Sequence, residues 1–204
     1  MGLTRFARTL CAAFFALWIL AAQVVEFDAG GLRYQTLTRN GLTVMIARLP
    51  SHVREYSVLQ VTISNGGSGT WTLRPEDFVF WRTDGTKLPA MGARAVVDNL
   101  MEKASRNDVI KLVITYEHGI YGNTQYKGTN GFEQRRQSAL AETSTKIKAA
   151  AAASAIALVQ TKLRPGESTD GAIFYANSGR SLENGSIRIR AADSLFDFPM
   201  LSSN

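Results

Sequence analysis

Cysteine is almost absent from this chain: Cys11 is the only one in 204 residues. It lies at the start of an apolar run, with Arg8-Thr9-Leu10 before it, so disulfides, thiolate catalysis and cysteine-bearing metal sites all drop out if that first segment is removed. A lipid-modified cysteine belongs after such a run and behind small residues, which argues against lipoprotein anchoring. Histidine is nearly as scarce. With only His52 and His118, a three-histidine zinc site is impossible. No Gly-x-Ser-x-Gly elbow accompanies either of them, and Gly66-Gly67-Ser68-Gly69 lacks the lysine and helix that a phosphate loop requires. It reads as a strand connection. These absences together exclude the common catalytic centres, and no cofactor or metal is expected.

Charge is also modest. The net is +6, and Arg5 and Arg8 supply two of the 23 basic residues, which leaves 21 against 17 acidic ones, a net of +4, for the rest. That is too little to argue for nucleic acid. Hydrophobic residues make up 45%, enough for a real core.

Met1 to Gln23 has the form of an export signal. Arg5 and Arg8 precede the run Leu10-Cys11-Ala12-Ala13-Phe14-Phe15-Ala16-Leu17-Trp18-Ile19-Leu20, which small residues follow at Ala21-Ala22. The run falls short of the roughly 20 residues of a membrane-spanning helix, which favours cleavage. Leu20 is poorly suited to the cleavage site, so an uncleaved anchor is the alternative. Either way the expected location is outside the cytoplasm: periplasmic, envelope-associated or secreted, with membrane contact only through an uncleaved N-terminus.

Strand signals dominate the next stretch. Leu32–Thr38 and Leu42–Leu49 flank Asn40-Gly41, the dipeptide favoured in tight hairpins. Leu59, Val61 and Ile63 alternate with Gln60, Thr62 and Ser64 as in a half-buried strand, and Trp71–Leu73 and Phe78–Trp81 are two further short runs. Pro75-Glu76-Asp77 and Asp84-Gly85 read as turns rather than as an acidic site, because Asp side chains accept local backbone N–H bonds.

After Pro89 the period changes. Val96, Val97, Leu100 and Met101 recur at helical spacing between Ala93 and Lys103. Ser105-Arg106-Asn107-Asp108 offers a cap for a second helix bearing Val109, Leu112, Val113, Tyr116 and Ile120. The β-branched residues there also suit a strand, but the period and the cap favour the helix. Phe132 to about Leu163 has neither glycine nor proline and contains the run Ala149–Ala153, which predicts one long helix ending before Pro165. Strand character returns at Gly171–Tyr175, Ser186–Arg190 and Leu195–Phe198. Ile187 and Ile189 alternate with Arg188 and Arg190, so one face of that strand is wet.

The motifs Val61-x-Ile63-x-Asn65, Leu73-x-Pro75-Glu76-Asp77-Phe78, Asp84-Gly85, Leu163-x-Pro165-Gly166-Glu167 and Gly171-x-Ile173-Phe174-Tyr175 occur in this order. Together they resemble secreted bacterial immunoglobulin-like domains of unknown function, a broad group that includes a mycobacterial immunogenic secreted antigen. The resemblance covers Leu42 to Pro89 and Leu163 to Phe198. It implies a two-sheet sandwich, an extracytoplasmic setting and no catalytic residues. The expected fold class is therefore α+β: an immunoglobulin-like antiparallel β-sandwich with a helical insertion between strands. The expected divisions are 1–23 signal or anchor, 24–90 first part of the sandwich, 91–161 helical insertion and 162–204 second part. The strands on either side are expected to fold without the insertion.

Function is expected in the insertion. Tyr121, Tyr126 and Lys127 lie in and beside a glycine-punctuated loop, and Arg135 and Arg136 follow it, so these five are the candidate interaction surface, with Lys146 and Lys148 adding charge further on. A non-catalytic exported module that contacts a protein or a cell-envelope component is the first reading. A binding protein for a small apolar or anionic ligand, held in a groove between insertion and sandwich, is the alternative.

Overall fold

The structure, a computed structural model, describes residues 23–50, 52–121, 138, 141 and 144–202. The segment read as an export signal lies outside these, apart from Gln23. The described chain is mixed α+β, and its sheets are antiparallel.

The first sheet joins β1 (Val25–Ala29), β2 (Leu32–Arg39), β3 (Leu42–Arg48), β4 (Tyr56–Asn65) and β9 (Ser168–Ala176) in the order β1-β2-β3-β4-β9. The second joins β6 (Phe78–Arg82), β7 (Lys87–Pro89), β10 (Gly185–Ala191) and β11 (Ser194–Met200) in the order β11-β10-β6-β7. A small two-stranded sheet pairs β5 (Trp71–Leu73) with β8 (Thr161–Leu163). The β2–β3 hairpin turns at Asn40-Gly41 as expected, with φ of 48° and 76°. That turn is fastened to the opposite hairpin, because Asn40 Nδ2 donates to the Ala192 carbonyl at 2.9 Å.

Side-chain alternation builds the core between the sheets. Leu59, Val61 and Ile63 of β4 and Ile173 and Tyr175 of β9 point the same way. They meet Phe78 and Phe80 of β6, Ile187 and Ile189 of β10, and Phe196 and Phe198 of β11, all essentially inaccessible to solvent. On the other face of β10, Arg188 is half-buried and Arg190 exposed, as the alternation requires.

Among the described residues three helices form a further layer: α1 (Ala93–Lys103), α2 (Arg106–Tyr121) and α3 (Thr145–Ile156). The first has the expected bounds, and the second is a helix and not a strand. Its cap is reciprocal: Asp108 N donates to Ser105 Oγ at 3.4 Å, and Asp108 Oδ2 accepts from Ser105 N at 2.6 Å.

The third expectation needs correction. Within the described residues α3 ends at Ile156 instead of running to Leu163. Ala157 turns to ψ 134°, Leu158 N donates to the Ala172 carbonyl at 2.9 Å, and Thr161–Leu163 pairs with β5. Alanine favours the helix locally, but open hydrogen-bonding groups on β9 and β5 capture the chain that follows.

A second correction concerns β4, which is not half-buried. Tyr56 and Val58 on its outer face, with Ala172 and Phe174 of β9, pack beneath Val96, Leu100, Val109, Leu112, Ala149, Ala153 and Ile156. Both faces of this strand pair are covered, so the helices are a third layer of the fold. Removing them would strip the cover from Tyr56, Val58 and Phe174, each no more than 2% exposed. The expectation that the strands fold without the insertion is revised on that ground.

The insertion enters and leaves along one edge. Met91 N donates to the Phe174 carbonyl at 2.8 Å, and Leu158 N to Ala172, so both ends are stitched to β9. These bonds cap a strand edge that would otherwise offer unpaired groups.

Candidate functional site

The structure does not assemble the five residues read as an interaction surface. Tyr121 is the last residue of α2, with only its backbone described, and Tyr126, Lys127, Arg135 and Arg136 lie outside the described residues. What the structure does place is the helical layer leading to them.

On α2, Val109 and Leu112 face the sheet, which turns Ile110 and Ile114 outward one helical turn apart. They are 46% and 42% exposed, and Met101 of α1 and Ile147 of α3 are similarly open. Four large apolar side chains on the outside of one layer are the feature that its helical periodicity leaves unexplained. Around them the surface is polar, with Glu102, Lys103, Arg106, Asn107 and Glu117 exposed. Lys146 Nζ donates to the Glu102 carbonyl at 3.0 Å, tying the start of α3 to the end of α1.

The layer is fixed to the sheets from below by Arg54, which holds a left-handed φ of 54° in the loop before β4. Its Nη1 donates to the Lys103 carbonyl at 2.6 Å, satisfying an orphan acceptor at the end of α1, and lies 3.5 Å from Asp108 Oδ2 at the start of α2. Asp108 is a buried carboxylate whose partners are Ser105 and Arg54. One guanidinium thus sets the corner between two helices.

The turn readings hold. Asp77 Oδ2 accepts from Arg74 N at 2.8 Å, and Asp84 Oδ1 from Thr86 N at 2.7 Å. Desolvation pushes the Asp77 carboxyl above its ordinary value, whereas the Thr86 N–H holds Asp84 below it. Gly66 to Gly69 connects β4 to β5, and Gly67 N donates to Asn65 Oδ1 at 3.1 Å. Among the described residues no three His, Cys, Asp or Glu side chains converge in a way that could hold a metal ion. His52 is exposed and lines a cavity near the end of β3; the His118 side chain lies outside the described residues.

One feature was legible only in part. Trp81 sits on the outer face of β6 with Lys87 Nζ 4.2 Å and Arg188 Cζ 4.5 Å from its ring centroid. The Arg188–Arg190 alternation signals a wet face, but which aromatic that face shares is set by the β6–β10 register, Ser186 opposite Trp81.

Between the described helices and the sheet, Tyr56, Val58, Ala172 and Phe174 pack directly against the helical side chains. Comparison with known proteins adds no assignment: no family model, curated protein or solved structure matches the chain.

Proposed function

We propose that this protein is a non-catalytic exported module of immunoglobulin-like type, whose helical layer contacts a protein or cell-envelope component. The single observation that carries the reading is the outward pair Ile110 and Ile114 on α2, with Met101 of α1 and Ile147 of α3 also exposed, on a layer otherwise bound to the sheets by apolar packing. Apolar side chains held outward on a rigid element supply the dry centre of a binding surface, and the charged residues around them its rim.

The strand order supports the immunoglobulin-like part. β4 neighbours β9 in one sheet, while β10 lies between β6 and β11 in the other, which is the B–E and C–F–G neighbour pattern of that fold. The helical layer occupies the connection between β7 and β8. Export is supported by the charged, then apolar, then small-residue order of the first 23 residues. Among the described residues no helix is long and apolar enough to cross a membrane.

The test is a photo-reactive side chain at position 114 in cells that make the protein, compared with one at Thr72 on β5. A discrete adduct at 114 alone, lost when Ile110→Glu is added without a change in circular dichroism, is the expected result. Equal labelling at both positions, or none at 114, defeats the proposal.

A further inference from the structure

We infer that the cavity between the end of β3 and the β9–β10 loop binds a compact oxyanion, a phosphate group. The cavity measures about 180 Å³ and is lined by Arg48, His52 and Arg180 together with Ser57, Ser181 and the backbone of Gly179. Pro50, Leu49, Val58 and Leu182 form its apolar remainder. Among the described residues no carboxylate lines it. The nearest acidic residues in sequence are Glu55 and Glu183, and Glu55 is paired with Arg54 at 3.5 Å. Two arginines, a histidine and the Ser181 hydroxyl give the lining donors without a carboxylate among the described residues, and that set suits a tetrahedral, doubly charged oxyanion.

Much of this arrangement is held in place before any ligand arrives. Arg48 Nη1 donates to the Leu182 carbonyl at 3.1 Å, which leaves its remaining N–H groups for other acceptors. The loop is shaped by Asn177, 4% exposed, whose Nδ2 donates to the carbonyls of Arg180 and Ser181 at 3.0 and 3.2 Å and whose Oδ1 accepts from Arg82 at 2.5 Å. Ser57 Oγ also donates to the Arg180 carbonyl. Ser178 and Gly179 turn through left-handed φ of 52° and 70°. A Cβ at Gly179 would stand 3.0 Å from the Arg54 carbonyl and 3.2 Å from His52 Cδ2, so the loop and the imidazole are in close contact.

Size narrows the class further. The cavity is smaller than the ~300–1,000 Å³ of sites that enclose a drug-sized ligand, so it takes one end of a molecule. That end is a phosphate of a soluble compound or of a lipid headgroup; the donors serve both.

The experiment is a titration of the purified protein with inorganic phosphate at constant ionic strength, following the backbone amide signals of His52, Gly179 and Arg180 by NMR. Saturable shifts are expected, with affinity about tenfold weaker in Arg180→Gln, an exposed position, and unchanged in Arg164→Gln, an exposed arginine elsewhere. Shifts that grow without saturating, or an Arg180→Gln variant that titrates like the parent, overturn the inference. Sedimentation with phosphatidylglycerol vesicles, relieved by free phosphate and lost in Arg180→Gln, identifies a lipid headgroup as the source. Saturable phosphate binding without sedimentation identifies a soluble one.

Discussion

Arg54 and Lys103 are joined by a 2.6 Å hydrogen bond from guanidinium to carbonyl, and through it the loop before β4 holds the end of α1. Because the same Nη1 approaches Asp108, its loss leaves a buried carboxylate short of one partner. Arg54→Ala should cost about 1–2 kcal/mol, since hydrogen bonds to charged groups are worth more than neutral ones but this side chain is partly exposed. Arg54→Gly should lose the same contacts yet fare better than alanine by several tenths of a kcal/mol, because φ of 54° suits glycine. Urea unfolding checks the order, and amide exchange should quicken in α1 and α2 before β4.

Asn65 is buried completely, and its side chain closes two turns at once. Nδ2 donates to the carbonyls of Gly69 at 2.7 Å and Leu163 at 3.2 Å, while Oδ1 accepts from Gly67 N. Its backbone does the same for the Pro165-Gly166 turn, accepting from Gly166 N and donating to the Glu167 carbonyl. Asn65→Ala should cost roughly 2–4 kcal/mol, because a cavity opens and buried backbone groups lose their partners together. A thermal scan that leaves the melting temperature unmoved would show that this junction contributes nothing.

Tyr175 gives the opposite sign. Its ring fills the centre of the sandwich, but its hydroxyl is buried with no hydrogen-bond partner among the described residues. Burial alone pushes the phenol pKa far up. Tyr175→Phe keeps the ring and removes the unsatisfied group, so it should leave stability unchanged or raise it by up to about 1 kcal/mol. Measured urea midpoints for the two proteins decide the matter. In an alkaline absorbance titration this phenol should ionise only as the fold opens.

Gly171 lets the chain leaving the helices lie against β9. A Cβ there would come within 2.8 Å of both Leu158 N and Cα, which are backbone atoms and cannot rotate away. Gly171→Ala should destabilise by about 1–3 kcal/mol. It should also weaken the Leu158–Ala172 bond, visible as faster exchange of the Leu158 amide.

The turns show how local signals carry through to the fold. Leu73-Arg74-Pro75-Glu76-Asp77 and Leu163-Arg164-Pro165-Gly166-Glu167 follow the two paired strands β5 and β8. In each the acidic side chain accepts the arginine N–H at 2.8 Å, Asp77 from Arg74 and Glu167 from Arg164. Both leucines are wholly buried. Proline, a carboxylate three residues after the arginine and one leucine are enough to specify each corner, because every interaction involved is local. The candidate contact surface was less legible. Helical spacing marks Ile110 and Ile114 as apolar without saying that they face away from the sheet, since Val109, Leu112 and Val113 compete for the inner side and only packing against β4 decides between them.

By itself the sequence determined what depends on near neighbours: the Asn40-Gly41 hairpin, the bounds of α1, the cap at Ser105 and the alternation of β4 and β10. Tertiary structure decided what depends on distant partners. It drew residues 157–163 out of the helical pattern onto β9 and β5, buried Tyr56 and Phe174 beneath the helices, and brought Arg48 and Arg180 to one cavity. The physical reason is that propensity differences amount to tenths of a kcal/mol per residue, whereas an open strand edge or an uncovered apolar face is worth several times that.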